Sequence, residues 1–179
     1  LKENFPNLVI PPHCADDGLS LGGLEFLRRK NNLPKFTLNK FPYIQSDESV
    51  EEPSVQTIKE TAKLLAGGAI VAWYQGNGEI GPRALGNRSI LMDPRINGGK
   101  EKINKIKSRE NFRPFGGSMI AKLSKDYFDI DFVDNYMLYT FRVKNNILES
   151  ITHIDGTSRV QCVDNTNSAY ENLIYEFYK

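Results

Sequence analysis

The run from Ala69 to Leu91 places the tightest limit on how this chain folds. Ala69-Ile70-Val71-Ala72-Trp73 is apolar, partly β-branched and too short for a helix, so it predicts a buried strand. It passes directly into Tyr74-Gln75-Gly76-Asn77-Gly78-Glu79-Ile80-Gly81-Pro82, whose glycines and proline disfavour any regular element. Ser89-Ile90-Leu91-Met92 then predicts a second strand. A glycine-rich loop at a strand end is where backbone commonly comes close to a ligand. The letters Gly76-x-Gly78-x-x-Gly81 match a dinucleotide fingerprint, but no βαβ unit and no acid about twenty residues further on accompany them. The Lys-Ser/Thr ending of a phosphate loop is also absent.

Positive charge is collected in the same region. From Gly81 to Phe115 nine Lys and Arg residues stand against Asp93, Glu101 and Glu110, in a chain whose formal net charge is +1. The remainder is therefore net acidic. Arginines set among Gly and Pro, as in Gly81-Pro82-Arg83-Ala84-Leu85-Gly86-Asn87-Arg88-Ser89, suit a rigid pocket for phosphate or carboxylate, because the guanidinium fork binds such oxygens bidentately. A solvated basic face accounts for the same composition.

The flanking pieces supply the scaffold. Leu8-Val9-Ile10 ahead of two prolines predicts a short strand, followed by a turn at Asp16-Asp17-Gly18, with either Asp as a helix cap, and a helix from about Leu24 to Arg29. Residues 31–54 hold Pro34, Pro42 and Pro53 and end in the acidic run Asp47-Glu48-Ser49-Val50-Glu51-Glu52, which predicts a linker. Val55, Ile58, Ala62, Leu65 and Ala66 recur at helical spacing and are closed by Gly67-Gly68, an amphipathic helix. A short basic helix over Lys100 to Arg109, strands over Gly116–Ile120 and Tyr136–Val143 with a turn at Asn145-Asn146, and a final helix through Tyr170, Leu173, Ile174 and Phe177 complete the pattern. Thr152-His153-Ile154-Asp155-Gly156-Thr157-Ser158-Arg159 is a polar turn opening into a strand. A His beside an Asp suits a general base, and equally suits a turn whose side chains satisfy backbone amides. The aromatics Tyr136, Tyr139 and Phe141 are expected in a sheet core.

Three motifs carry a family resemblance. They are Gly81-Pro82-Arg83-Ala84-Leu85-Gly86-Asn87-Arg88-Ser89-Ile90-Leu91 with Asp93-Pro94-Arg95, then Asn104-x-x-Lys107-x-Arg109-Glu110-x-Phe112-Arg113-Pro114-Phe115, then Thr152-His153-Ile154-Asp155-Gly156-Thr157-Ser158-Arg159-Val160-Gln161. In this order they resemble the C-terminal region of the O-carbamoyltransferases typified by the nodulation, cephamycin and tobramycin enzymes. The resemblance implies an α/β (α+β) fold, a twisted mixed sheet flanked by helices and similar to the threonylcarbamoyl-adenylate synthases, over residues 55–179. It implies that residues 1–30 are the tail of a transferase domain, that 31–54 link the two, and that the chain is a fragment stopping short of its family's C-terminal end.

The implied activity is formation of carbamoyl-adenylate from carbamoyl phosphate and ATP with Mg2+, releasing pyrophosphate. The transferase domain would then pass the carbamoyl group to a hydroxyl-bearing small molecule. Arg83, Lys107, Arg109 and His153 are the implied catalytic residues. Arg83, Arg88, Ser89, Lys107, Arg109, Arg113, Asp155 and Arg159 are the implied contacts to ATP and carbamoyl phosphate. Asp16 is the implied ligand of a transition-metal ion whose other ligands lie in the transferase domain. The family's Leu-Asn-Thr-Ser-Phe-Asn segment beyond the final helix is missing, so the fragment alone is expected not to turn over. Gly116-Gly117 stands where relatives tend to have Ala-Pro.

Competing expectations are an RNA-binding module using Lys100, Lys102, Lys105 and Lys107 as phosphate contacts, and a purely structural module. Nucleic acid is not the expected partner, because the arginines lie in Gly/Pro-rich loops rather than along one helix. No apolar run approaches the roughly 20 residues of a spanning helix, so no membrane partner is expected. Two distant cysteines, Cys14 and Cys162, indicate neither a disulfide framework nor a zinc site, and the cytoplasm is the expected location.

Overall fold

The computed structural model describes residues 4–5, 7–35, 37, 41–44, 50–165 and 167–179. The predicted start Leu1-Lys2-Glu3 and the first part of the acidic run, Asp47 to Ser49, lie outside the described residues.

The helix α2 (Val55–Ala66) forms where the periodicity places it. Ser54 caps it, with its hydroxyl oxygen accepting the Thr57 N–H at 3.1 Å, and Gly67 ends it. Ile58, Thr61, Ala62 and Leu65 are the buried stripe. They pack with α5 (Ser168–Tyr178), whose Tyr170 and Leu173 join Trp73 and Val163 in one core. Strands β1 (Val71–Tyr74) and β2 (Arg88–Leu91) pair antiparallel, Val71 opposite Leu91 and Tyr74 opposite Arg88, so residues 75–87 are the loop between them.

The main sheet has the order β3-β6-β5-β4, built from β3 (Gly117–Ile120), β4 (Phe128–Asp129), β5 (Thr140–Val143) and β6 (Thr157–Val163). β3 runs parallel to β6 and the other pairs are antiparallel, which makes the sheet mixed. β6 is central and covered on both faces. Val160 and Cys162 face a core with Phe128, Phe141 and Ile151, while Val163 faces the α2–α5 core, as a period of two requires. The fold is thus the expected mixed α/β arrangement of sheet and flanking helices. Among the described residues, no helix is long and apolar enough to cross a membrane.

Several local expectations are corrected. Leu8 to Ile10 forms no strand. Helix α1 (Leu19–Lys30) starts before Leu24, and its N-cap is Gly18; Asp16 and Asp17 instead form a 3-10 turn with Gly18 and cap nothing. Tyr136 to Tyr139 is a turn, not a strand. The buried Asp134 carboxylate accepts the N–H groups of Tyr136, Leu138 and Tyr139 at 2.8–3.0 Å, and Met137 takes a φ of 54°. Three charge-assisted bonds to one carboxylate outweigh the strand preference of an aromatic run. The strand β4 and the short helix α4 (Ser124–Tyr127) carry no periodic signal long enough to read.

Part of the stretch read as a linker is built into the structure. Pro42 and Tyr43 are buried, the Tyr43 hydroxyl donates to the Leu85 carbonyl at 2.9 Å, and the Pro42 carbonyl accepts the Ile80 N–H. This crossing segment braces the β1–β2 loop from one side.

Candidate functional site

The loop from Gln75 to Asn87 is held by three kinds of bond. Its mouth is closed by the Gln75 N–H to the Asn87 carbonyl at 3.1 Å. Behind it, Gln75, Asn87 and Asn167 form a buried amide cluster. Gln75 Nε2 donates to Asn167 Oδ1 at 2.7 Å, Asn167 Nδ2 donates to Asn87 Oδ1 at 2.7 Å, and Trp73 Nε1 donates to Gln75 Oε1. Within the loop, Glu79 Oε1 accepts the Leu85 and Asn87 N–H groups, each at 2.8 Å. The Leu85 carbonyl is in turn held by Gln161 Nε2 of β6 at 3.0 Å, so the loop is pinned to the main sheet. Gly86 has a φ of 106°, and a Cβ there would lie 2.3 Å from the Tyr170 ring. Only glycine lets the loop approach α5 this closely.

A second loop is set by Asn104, fully buried in helix α3 (Gly99–Ile106). Its carbonyl accepts the Arg109 N–H at 2.9 Å, and its Nδ2 donates to the carbonyls of Asn111 and Arg113. Ser108 takes a φ of 50° to turn the chain. Arg109 leaves this turn with its guanidinium 5.3 Å from the centre of the Phe115 ring.

Between the two loops, the open end of β3 and α5 lies a cavity of about 590 Å3. It is lined by Arg83, Arg95, Lys100, Lys107, Arg109 and Arg159 and, among the described residues, by no acidic one. Arg95 is already neutralised by Asp93 at 2.7 Å, and Lys100 has Glu101 at 3.9 Å. Arg83 and Arg109 each have a buried Nε without a hydrogen-bond partner. Burial, then the neighbouring guanidiniums of Arg83 and Arg109, hold the Arg159 guanidinium below its ordinary pKa. Three arginines thus repel one another across a cleft that holds no counter-charge. Such an arrangement is costly in the free protein and complementary to a polyanion. The apolar part of the lining, including Ile90, Ile103, Phe115 and Phe177, offers a separate surface to a flat or apolar group.

Of the sequence-predicted residues, Arg83, Ser89, Lys107, Arg109 and Arg159 line this cavity together. The others are placed elsewhere. Arg88 lies over the Tyr74 ring at 3.5 Å and donates to the carbonyls of Gln75, Gly76 and Asn87, splinting the loop mouth. Arg113 pairs with Glu110 at 2.7 Å on the surface. Asp155 Oδ1 accepts both the N–H and the hydroxyl of Thr157, which also hold its carboxyl below the usual range. His153 Nδ1 lies 3.2 Å from the same hydroxyl, and its Nε2 is buried without a partner. Neither His153 nor Asp155 lines the cavity. Asp16 is exposed, and among the described residues no three His, Cys, Asp or Glu side chains stand together as a metal site. Lys102 and Lys105 point away from the cavity and are exposed.

Glu79, Gln75 and Asn167 carry no role in the sequence reading, and Asn104 enters it only as the first residue of a motif, without a role. An acid inside a glycine-rich loop and an Asn on the apolar edge of a basic helix were the available signals, and each reads equally well as surface polarity until its buried partners are known.

The fold and site define a mixed α/β protein whose sheet and flanking helices surround an arginine cleft with no acid in its lining among the described residues. The family model described as "Carbamoyltransferase C-terminus" matches residues 62–179, well over half of the chain. The chain belongs to this carbamoyltransferase family, and the family is one of enzymes. It is 43% identical over 183 residues to the 3'-hydroxymethylcephem-O-carbamoyltransferase of Amycolatopsis lactamdurans, covering 97% of this chain and 35% of that protein. To nodulation protein NolNO of Sinorhizobium fredii it is 34% identical over 200 residues, covering 98% of this chain and 29% of that protein. Nodulation protein NolO of Bradyrhizobium diazoefficiens is 42% identical over 127 residues, 66% of this chain and 23% of that protein. The chain spans about a third or less of the length of these relatives.

Proposed function

We propose that this chain binds ATP and carbamoyl phosphate in the arginine cleft and forms carbamoyl-adenylate, for transfer to an acceptor hydroxyl by another part of the full-length protein. The observation that carries the reading is the set of guanidiniums of Arg83, Arg109 and Arg159, brought together without an acid. Bringing two phosphorylated substrates into one cleft is opposed by their mutual repulsion, and fixed cations offset it before any bond forms.

In balance, the phosphoryl group of carbamoyl phosphate leaves with water as inorganic phosphate. A carbamate oxygen then forms the bond to the α-phosphorus while the α-phosphorus–oxygen bond to pyrophosphate breaks. Arg83, Arg109 and Arg159 hold the phosphates and stabilise charge moving onto pyrophosphate. Lys107 adds a point charge at the rim, and Ser89 offers its hydroxyl to a phosphate or carbamoyl oxygen. Among the described residues no carboxylate lines the cleft, so Mg2+ would arrive on the phosphates and keep the rest of its shell from water. Arg88 serves by keeping the loop closed. Arg113, His153 and Asp155 remain candidate contacts for the ends of the two substrates, and the reaction requires no proton transfer from His153. Asp16 would be one ligand of a transition-metal ion completed by residues beyond this chain. The acceptor would be a small molecule bearing a hydroxyl, as the name of the cephem carbamoyltransferase indicates for that relative.

The test is calorimetric titration of the chain with Mg-ATP at about 0.15 M and 0.5 M salt, for wild type, Arg83→Ala and Arg109→Ala. Saturable binding weakened about tenfold or more by each substitution is expected, since a charge-assisted bond contributes about 1.5–3 kcal/mol. Equal binding by wild type and both variants refutes the assignment.

A further inference from the structure

The β1–β2 loop presents Arg83 to the cleft, yet none of its residues from Gly76 to Asn87 lies in a helix or ends a strand. Backbone pairing reaches the loop only at the Gly78 bridge and the Ile80 N–H to the Pro42 carbonyl, both before Arg83, so side chains contribute to where Arg83 points. Glu79 sits inside the loop. Its Oε1 accepts the N–H of Leu85 and of Asn87, and the Arg88 N–H is directed at the same carboxylate. Immediately beyond, the Gly86 N–H donates to Ser89 Oγ at 3.0 Å, so the turn that carries Arg83 on one limb carries Ser89 on the other. The charged and titratable groups facing Glu79 are Arg88 from β2, Tyr43 from the crossing segment and Tyr170 from α5. Arg83 is not among them.

We infer that Glu79 is a positioning residue of the anion cleft, its carboxylate gathering the backbone N–H groups of Leu85 and Asn87 so that Arg83 and Ser89 are delivered to one ligand. The inference rests on the reading of the cleft as a polyphosphate site. A carboxylate is the right group, because it is acceptor-only and can take N–H donors at both oxygens. Glutamine at this place would turn its NH2 toward the Arg88 N–H, donor against donor. Because Glu79 spends its charge on amides, it orders the loop without neutralising the arginine that the loop presents. Burial raises the pKa of its carboxyl, with the loop N–H groups and Arg88 opposing. On acidification it therefore gains a proton, and loses one acceptor, earlier than an unperturbed glutamate would.

The experiment uses Mg-ATP as probe and measures its Kd for wild type, Glu79→Gln, Glu79→Asp, Arg83→Ala, Lys107→Ala and the doubles E79Q/R83A and E79Q/K107A, with thermal melts of each. E79Q is expected to weaken binding about tenfold. The loss should shrink in the Arg83→Ala background, where Ser89 alone is left for the loop to place, and persist in full in the Lys107→Ala background, since Lys107 is not held by this loop. Glu79→Asp, which keeps the charge and shortens the reach by one carbon, is expected between wild type and E79Q. The ratio of wild-type to E79Q affinity should also fall as the pH is lowered, because protonation removes from wild type what the substitution removed already.

Binding by E79Q equal to wild type, with Arg83→Ala impaired, overturns the inference and leaves the cleft reading standing. A tenfold loss that adds to that of Arg83→Ala overturns it too, because Glu79 would then act elsewhere. If wild type and Arg83→Ala bind alike, the cleft reading itself fails, and this inference with it. If E79Q is unfolded, Glu79→Asp carries the comparison, and wild-type affinity there overturns the inference.

Discussion

Arg159 is the residue whose removal separates function from stability most sharply. It lies on β6 between two other unneutralised guanidiniums, and its environment disfavours its charge through burial first and through Arg83 and Arg109 second. Arg159→Met keeps an unbranched stem of similar reach and deletes only the charge. Replacing buried charges by apolar groups of like volume is neutral or stabilising by about 1–4 kcal/mol. Arg159 is part-exposed and screened, so about 1 kcal/mol is the appropriate figure. For a chain of this length that corresponds to a rise in Tm of about 2–4 °C in the absence of ligand.

With ligand the order should reverse. At a Mg-ATP concentration about 1,000 times the wild-type Kd, wild type gains about 4.1 kcal/mol. Loss of one charge-assisted contact of about 2 kcal/mol raises Kd about thirtyfold, so the variant gains only about 2.1 kcal/mol at the same concentration. Adding its 1 kcal/mol advantage, the variant is left about 1 kcal/mol behind. The melting curves therefore exchange places on adding nucleotide, a result that differential scanning calorimetry resolves. A lower Tm for ligand-free Arg159→Met would mean that Arg159 stabilises the fold by a partner of its own. An equal ligand-induced shift in both proteins would mean that it does not face the nucleotide. Either result refutes the reasoning.

Two further outcomes follow from the packing. Gly86→Ala forces a Cβ to within 2.3 Å of the Tyr170 ring at a φ of 106°, and strain plus overpacking should cost about 3–5 kcal/mol. Urea unfolding of G86A, Tyr170→Ala and the double variant tests this, since a double variant as unstable as the sum of the singles would show that the ring is not what Gly86 avoids. Burial pushes the phenols of Tyr43 and Tyr170 up to about 12, so the folded chain keeps two protons that the unfolded chain releases near 10. Their contribution, at most about 2.7 kcal/mol each, is complete below pH 10 and is lost as the pH rises toward 12. Stability measured in urea between pH 9 and 11 should fall, and fall less for Tyr170→Phe; a flat profile for wild type would sink the argument.

What could be read from the residues was whatever is decided locally. The Ser54 cap, the spacing of Ile58, Ala62 and Leu65, and the stop at Gly67-Gly68 each act within one or two turns, and α2 forms there. β1, β2, β6 and α5 likewise carry their own patterns. Tyr136 to Tyr139 failed because its conformation is set by one carboxylate, Asp134, whose three amide bonds leave no trace in hydropathy. The site divides in the same way. Arg83 in the loop and Arg88 at the start of β2 stand five residues apart in sequence, and nothing in residue type distinguishes them. Arg88 is drawn onto the Tyr74 ring and three carbonyls, while Arg83 keeps a buried Nε unpaired at the cavity. Which arginine faces the cavity depends on the pairing of β1 with β2, which places Tyr74 opposite Arg88.

The amides around this loop bear on how a cation-rich site can be ordered at all. Arginines are most easily fixed by carboxylates, but a carboxylate within the cleft would cancel the field that attracts the ligand. Arg95, paired with Asp93, shows what that solution costs, since its charge is already spent. Around Arg83 and Arg109 the ordering falls to neutral groups instead. Gln75, Asn87 and Asn167 lock the first loop, Asn104 locks the second, and Gln161 ties the first to β6. The one acid of the first loop, the half-buried Glu79, is directed to backbone N–H groups. Each neutral amide supplies direction without net charge, so the guanidiniums are held in place while their charge stays available. That division of labour explains how the cleft can be at once well ordered and uncompensated, and on the proposed reading its repulsion would be relieved when an anion enters.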